Sequence, residues 1–211
     1  MQADHNVAKR DSDLVAYYDR EVRARAEREL PRPRVVHRTA FTDLVKGEGR
    51  GSVLEIGSGP GRDGQAFAAA GLAYTGVDLS PVAVAYCRSL GLQAVVGSVL
   101  HLPFRSASFD AGWMMSTLLH IGDDFLDHAL REIARVLRPG APVAIGLWGN
   151  RIGHERMWDD GRGFAPPRFF SIRTDEAVRG VLNRLGSLER WVTWPADDSL
   201  HYQLAMVRLA M

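Results

Sequence analysis

Apolar positions follow two rhythms along this chain. Up to Arg50 they recur at helical spacing among many charges, and from Ser52 they gather into short runs separated by helical stretches. The first segment predicts a helix from Asp11 to about Leu30, whose alternating charges from Arg20 to Glu29 read as a solvated face. Pro31 and Pro33 break it, a second amphipathic helix is expected from Arg34 to Lys46, and Gly47 to Gly51 turns the chain. Strands are then predicted at Val53–Ile56, Ala73–Val77, Gln93–Val96, Phe109–Met115 and Pro142–Trp148. Between them fall helices at Asp63–Ala70, closed by Gly71, and at Pro81–Leu90, with proline in the first turn and Gly91 beyond the end. A longer helix runs to Leu137, with Asp123 or Asp124 as its cap and Pro139-Gly140 as its stop. Strands alternating with helices at this spacing indicate a doubly wound α/β fold, a mostly parallel sheet with helices on both faces.

Beyond Gly149 the periodicity fades. Asn150 to Phe170 reads as a long loop, Thr174 to Leu185 as a helix, and Leu188–Trp194 and Leu200–Leu209 as two strands. The polar turn Pro195-Ala196-Asp197-Asp198 joins them into a closing hairpin, which an otherwise parallel sheet can carry at its edge. One domain accounts for residues 1–211: a helical lid over 1–50, a ligand-binding core over 51–148, and a substrate-side loop, helix and hairpin over 149–211.

Composition narrows the partners more than the fold. With 26 basic against 25 acidic residues the formal charge is +1, so no global electrostatic grip on nucleic acid or an anionic membrane is expected. The lone Cys87 forbids an internal disulfide and a cysteine zinc cage. The first thirty residues alternate in charge and show no signal peptide, and no apolar run approaches the ~20 residues of a membrane span. A soluble cytoplasmic protein is therefore expected, with monomer and homodimer both open.

The most informative stretch is Val53-Leu54-Glu55-Ile56-Gly57-Ser58-Gly59-Pro60-Gly61-Arg62-Asp63-Gly64. Glycines between a strand and a helix permit a sharp turn and a close approach of backbone to ligand, in a crevice beyond the carboxyl ends of the strands. Gly59, Gly61 and Gly64 also fit a dinucleotide fingerprint. Glu55 argues the other way, because a carboxylate entering the turn repels a pyrophosphate and suits ammonium or sulfonium charge. Asp78 closes the next strand, where an acid can accept both hydroxyls of a ribose; alternatively Asp78 or Ser80 caps the helix that Pro81 opens.

The ordered series Glu55-x-Gly57-x-Gly59-x-Gly61, Val77-Asp78-Leu79-Ser80, Leu102-Pro103-Phe104, Ser108-Phe109-Asp110 and Arg138-Pro139-Gly140 resembles the class I S-adenosylmethionine-dependent methyltransferases, small-molecule members above all. The resemblance spans about Ser52 to Trp148. It implies a Rossmann-like seven-stranded sheet of order 3-2-1-4-5-7-6 with strand seven antiparallel, S-adenosylmethionine as cofactor and S-adenosylhomocysteine as product. The loop carrying Glu55, Gly57, Ser58, Gly59 and Gly61 would then cradle the methionine part of the cofactor. Asp78 would hold the ribose, Leu79 would pack on the adenine, and Ser98 and Val99 would lie at its edge. Many relatives carry an acid where Ser98 stands. Met115 and Ser116 would sit near the reacting sulfur.

Methyl transfer from a sulfonium is an in-line displacement in which positioning is the principal demand. His120, just past the fourth strand, is the candidate general base for a hydroxyl acceptor; its other reading is a packed histidine that orders a loop, and an amine acceptor needs no base. Tyr17, Tyr18 and Trp148, with His154 and Trp158, are aromatics that either contact substrate or cap the sheet. Asp63 reads as an ordinary helix-start acid. His120, Asp123, Asp124 and His128 are more simply capping and packing residues than a metal cluster, so no metal is expected. Competing functions are a non-catalytic cofactor-binding or interaction module and a nicotinamide-dependent oxidoreductase. Nucleic-acid methylation is disfavoured, because Met115-Ser116-Thr117 stands where amino-directed DNA enzymes carry Asn-Pro-Pro-aromatic.

Overall fold

The computed structural model describes residues 2–159, 161–196 and 199–211, with side chains from residue 8 onward. Two N-terminal helices, α1 (Gln2–Glu27) and α2 (Arg32–Gly47), precede an alternation of strands and helices. This runs β1 (Ser52–Ile56), α3 (Arg62–Ala69), β2 (Ala73–Asp78), α4 (Pro81–Ser89), β3 (Ala94–Val96) and β4 (Ala111–Met115). A short 3-10 turn (Leu118–His120) leads into α5 (Asp123–Val136), followed by β5 (Pro142–Gly149), β6 (His154–Trp158), β7 (Arg168–Ile172), α6 (Asp175–Leu185), β8 (Gly186–Pro195) and β9 (His201–Leu209).

The main sheet has the order β3-β2-β1-β4-β5-β9-β8. Its first five strands are parallel, while β9 is antiparallel to both β5 and β8. The expected order 3-2-1-4-5-7-6 is thus realised, with the two strands of a separate ribbon intervening in sequence before the closing hairpin. Both sheet faces are covered. Leu54, Ile56, Met114 and Ile145 join the layer under α5 and α6, while Val53, Trp113 and Ala144 join Phe41 of α2 and Phe67 of α3 on the other. Strands buried on both faces read as continuous apolar runs, which is why their positions were visible in the sequence.

Several boundaries differ from the expectation. The first helix begins at Gln2 rather than Asp11 and ends at Glu27. The fourth strand starts at Ala111, because Phe109 makes only an isolated bridge to Leu137. Gly122, not Asp123 or Asp124, is the N-cap of α5; Asp123 instead accepts from Arg173 at 2.8 Å. The loop expected over Asn150–Phe170 contains β6 and part of its antiparallel partner β7. In β6 most side chains are exposed, whereas β7 is buried throughout, so neither shows an alternating pattern that would mark a strand. Asp197 and Asp198 of the expected hairpin turn lie outside the described residues.

One buried acid joins the helical segment to the sheet. Asp63, in the first turn of α3 and 1% exposed, accepts from Arg34 Nε at 2.9 Å and Nη2 at 2.6 Å, from Arg38 at 2.9 Å and from Trp113 Nε1 at 2.8 Å. Burial opposes its charge, yet these donors hold the carboxyl below the usual range. The Asp63→Ala variant leaves two guanidinium groups and a buried indole N–H without this acceptor. It is expected to lose about 3–5 kcal/mol of unfolding free energy, measurable as a lowered urea midpoint at unchanged slope.

Candidate active site

The crevice opens at the carboxyl ends of β1 and β4, the neighbours between which the strand order reverses direction. After Ile56 the chain turns through Gly57 at φ +76°. A side chain there would be strained by the backbone alone, and its Cβ would fall 2.1 Å from Thr117 Oγ1. Thr117 Oγ1 donates to the Ile56 carbonyl at 2.8 Å, so the two strand ends are stitched together where a larger residue could not stand. Gly59 faces space: a Cβ there would meet nothing nearer than Arg25 Nε at 4.0 Å.

Asp78 fixes the turn from the neighbouring strand. Its two carboxylate oxygens accept from Gly59 N at 2.7 Å and Ser80 N at 2.9 Å. Burial holds its carboxyl above the usual range, with these main-chain donors opposing the rise only in part. Of the two candidate caps for α4, Ser80 is the one used: its Oγ accepts from Ala83 N at 2.9 Å.

A cavity lies over this turn, lined by the ends of β1, β2 and β4 and by α1. The sequence-derived residues Gly57, Gly59, Asp78, Leu79, Val99, Met115 and Ser116 line it, together with Tyr18 and His120. Leu14, Val22 and Arg25 of α1 also line it, and sequence reasoning missed them. Their signal was present: Leu14, Tyr18, Val22 and Arg25 follow helical spacing on a helix read as solvated.

Four expected residues stand outside this lining, and each has a physical reason. Glu55 is buried beneath the turn, where Tyr74 donates to its Oε2 at 2.7 Å. Burial, reinforced by Asp63, pushes its carboxyl up to about 8. The direct contact with a cationic ligand expected of Glu55 is therefore replaced by a role in the floor. Ser58 is buried, with Cys87 Sγ donating to its Oγ at 3.9 Å, and Gly61 packs against Leu92 and Cys87. Ser98 turns into its own loop and accepts from Leu100 N at 3.2 Å, leaving Gly97 and Val99 to face the cavity.

His120 sits at the border with a second, larger cavity. Its Nδ1 lies 2.8 Å from the Phe169 carbonyl, which can only accept, so Nδ1 carries the proton. Nε2 then accepts from the Tyr18 hydroxyl at 2.7 Å, and Arg168 Nη1 donates to the same hydroxyl oxygen at 3.1 Å. Burial first, and the nearby charges of Arg168 and Arg25 after it, push the imidazole down to about 3. Ser116 at the end of β4 has φ +63°, a conformation costing a non-glycine residue roughly 1–2 kcal/mol. Ser116, Tyr18, Arg25 and His120 line both cavities and mark where they meet.

Trp148 lines the second cavity beside Trp158 and Phe170, with ring centroids 6.1 Å from each. Tyr17 lines neither: it is 1% exposed, with the Arg168 guanidinium 3.9 Å above its ring, and is a core residue supporting the site from behind. His128 is hydrogen-bonded to the Leu100 carbonyl and Asp123 is paired with Arg173, so the residues once considered as a metal cluster are drawn to separate partners.

Comparison with known proteins adds relatives to this geometry. A family model described as a methyltransferase domain matches residues 54–145. The fatty-acid O-methyltransferase of Mycolicibacterium smegmatis is 34% identical over 162 residues, 72% of this chain and 57% of the relative. The 27-O-demethylrifamycin SV methyltransferase of Amycolatopsis mediterranei is 33% identical over 127 residues, covering 53% and 46%. The chain thus spans about half the length of these curated relatives. Among solved structures, a Burkholderia thailandensis 1,6-didemethyltoxoflavin-N1-methyltransferase with bound S-adenosylhomocysteine superposes with TM-score 0.76 at 24% identity, covering 98% of this chain and 90% of that one. The [4+2]-cyclase SpnF superposes with TM-score 0.65 at 22% identity, covering 82% and 80%. These two likenesses speak for the fold alone. The matched domain and the strand order identify residues 54–145 as a class I S-adenosylmethionine-dependent methyltransferase domain.

Proposed function

We propose that this protein transfers the methyl group of S-adenosylmethionine to an oxygen or nitrogen of a small-molecule acceptor. The observation that carries this reading is the meeting of two cavities at Tyr18, Arg25, Ser116 and His120. The first offers chemistry suited to the cofactor: open space over Gly59, a half-buried carboxylate at Asp78 and apolar walls at Leu79 and Val99. Asp78 would accept from the ribose hydroxyls, Leu79 and Val99 would flank the adenine, and the main chain at Gly57 and Gly59 would follow the methionine part. Arg25 would oppose the carboxylate of that amino acid, and Met115 and Ser116 would lie toward the sulfur.

When bound, the cofactor supplies an electrophilic methyl carbon on a sulfonium. The chain's own contribution is alignment and exclusion of water. Helix α1 roofs the first cavity through Leu14, Tyr18 and Val22. Tyr18 is held by a hydrogen bond to His120 and another from Arg168, so its hydroxyl is fixed at the border. An imidazole this weakly basic serves first to orient Tyr18, and an acceptor that arrives without a proton to lose is favoured by it.

Two measurements test the reading. Isothermal titration of the full chain with S-adenosylhomocysteine should give saturable one-site binding, weakened about 10- to 100-fold in Asp78→Asn. Absence of binding to the wild-type chain overturns the assignment. The second is a pH dependence. His120 has a folded value near 3 against 6.5 for its ordinary one. The unfolded chain therefore binds the extra proton across that window, and stability falls as pH drops through it. Denaturant midpoints between pH 6.5 and pH 3 should fall less steeply in His120→Asn than in the wild type; equal slopes would show that the imidazole is not held neutral.

A further inference from the structure

The second cavity has a charge pattern of its own. Arg25, Arg28, Arg34, Arg62, Arg162 and Arg168 line it. The carboxylates among the described lining residues are Glu21, Glu29 and Asp159. Glu21 is fully buried and takes Arg25 at 3.0 Å and Arg28 at 2.9 Å, while Arg34 is turned to Asp63. Arg62 is different. It donates to the main-chain carbonyl of Arg28 and forms no ion pair among the described residues. Burial, and after it the charge of Arg34, Arg25 and Arg28, pushes its guanidinium down to about 10.

Helix stability does not explain this placement. Arg62 is the first residue of α3, where the helix dipole disfavours a cation. A partly buried guanidinium among other guanidinium groups gains most from an anion that is not part of the chain. The same cavity supplies an apolar wall, since Trp148, Trp158 and Phe170 stand within 6.1 Å of one another by ring centroid.

We propose that this cavity selects acceptors bearing a carboxylate or phosphate group, with Arg62 as the specificity-determining anchor and Trp148, Trp158 and Phe170 as the surface for the apolar part. The inference rests on the methyl-transfer reading only in calling the bound molecule an acceptor.

The test uses the full chain with and without S-adenosylhomocysteine, titrated with naphthoate, naphthyl phosphate and the neutral naphthamide. At least one anionic probe should bind about tenfold or more tightly than the amide, and its margin over the other anion tells carboxylate from phosphate. The preference should shrink as salt rises, disappear in Arg62→Gln and largely survive in Arg62→Lys. Equal binding of all three probes by the wild-type chain overturns the proposal, as does a preference that persists in a folded Arg62→Gln. If Arg62→Gln does not fold, the salt dependence and Arg62→Lys decide, and a salt-independent preference counts against it. Failure of S-adenosylhomocysteine to bind would refute methyl transfer while leaving the probe preference to be judged separately.

Discussion

The arrangement of this molecule depends on one buried ion cluster, in which Asp63 holds Arg34 and Arg38 of α2 against the indole N–H of Trp113 in β4. Taking a carboxylate out of water beside two guanidinium groups is costly, and the cost is offset because both of its oxygens accept from well-placed donors. The cluster fixes how α2 lies on the sheet and where α3 begins after the glycine turn. It also decides the fate of Glu55. With Asp63 ionised close by, a second buried negative charge is disfavoured, and Glu55 is pushed up to about 8 while Asp63 is held down. The carboxyl beneath the turn therefore holds its proton more tightly than an ordinary glutamate. Among the described residues, the acid that lines the first cavity is Asp78.

This corrects the electrostatic argument drawn from the sequence without overturning its conclusion. Glu55 was read as a charge facing a cationic ligand, whereas the carboxyl is bonded to Tyr74 beneath the loop. The groups that surround the opening are Asp78 from β2, the open position at Gly59, and the α1 side chains above. A strand alternates its side chains between faces, so a residue two places before a turn can be carried under the turn rather than into it. Sequence spacing alone could not distinguish those outcomes.

Legibility followed burial. The central strands were readable because both of their faces are covered, and α4 because proline, its serine cap and a closing glycine bracket it. The ribbon of β6 and β7 was not, because β7 is buried by α1 and by the 3-10 turn, contacts distant in sequence. Helix α1 was visible, but its purpose was hidden: charges dominate its composition, while Leu14, Tyr18 and Val22 supply the roof. Tyr18 and His120 were both named from sequence. The bond between them joins positions 102 residues apart, which no local pattern encodes.

The two cavities divide the chemistry between them, and α1 is the element that spans the division. Along α1, Leu14 and Val22 face the first cavity only, Tyr18 and Arg25 face both, and Glu21 faces the second only, as does Arg28 just beyond the helix end. From Leu14 to Arg25 the helix rises roughly 16 Å at 1.5 Å per residue, so a single amphipathic element lines both spaces. Because Glu21 ties Arg25 to Arg28, the cationic side of the second cavity is organised from the helix that roofs the first. Any shift of α1 therefore alters the geometry of both spaces together, and the border residues Tyr18 and Arg25 carry that coupling.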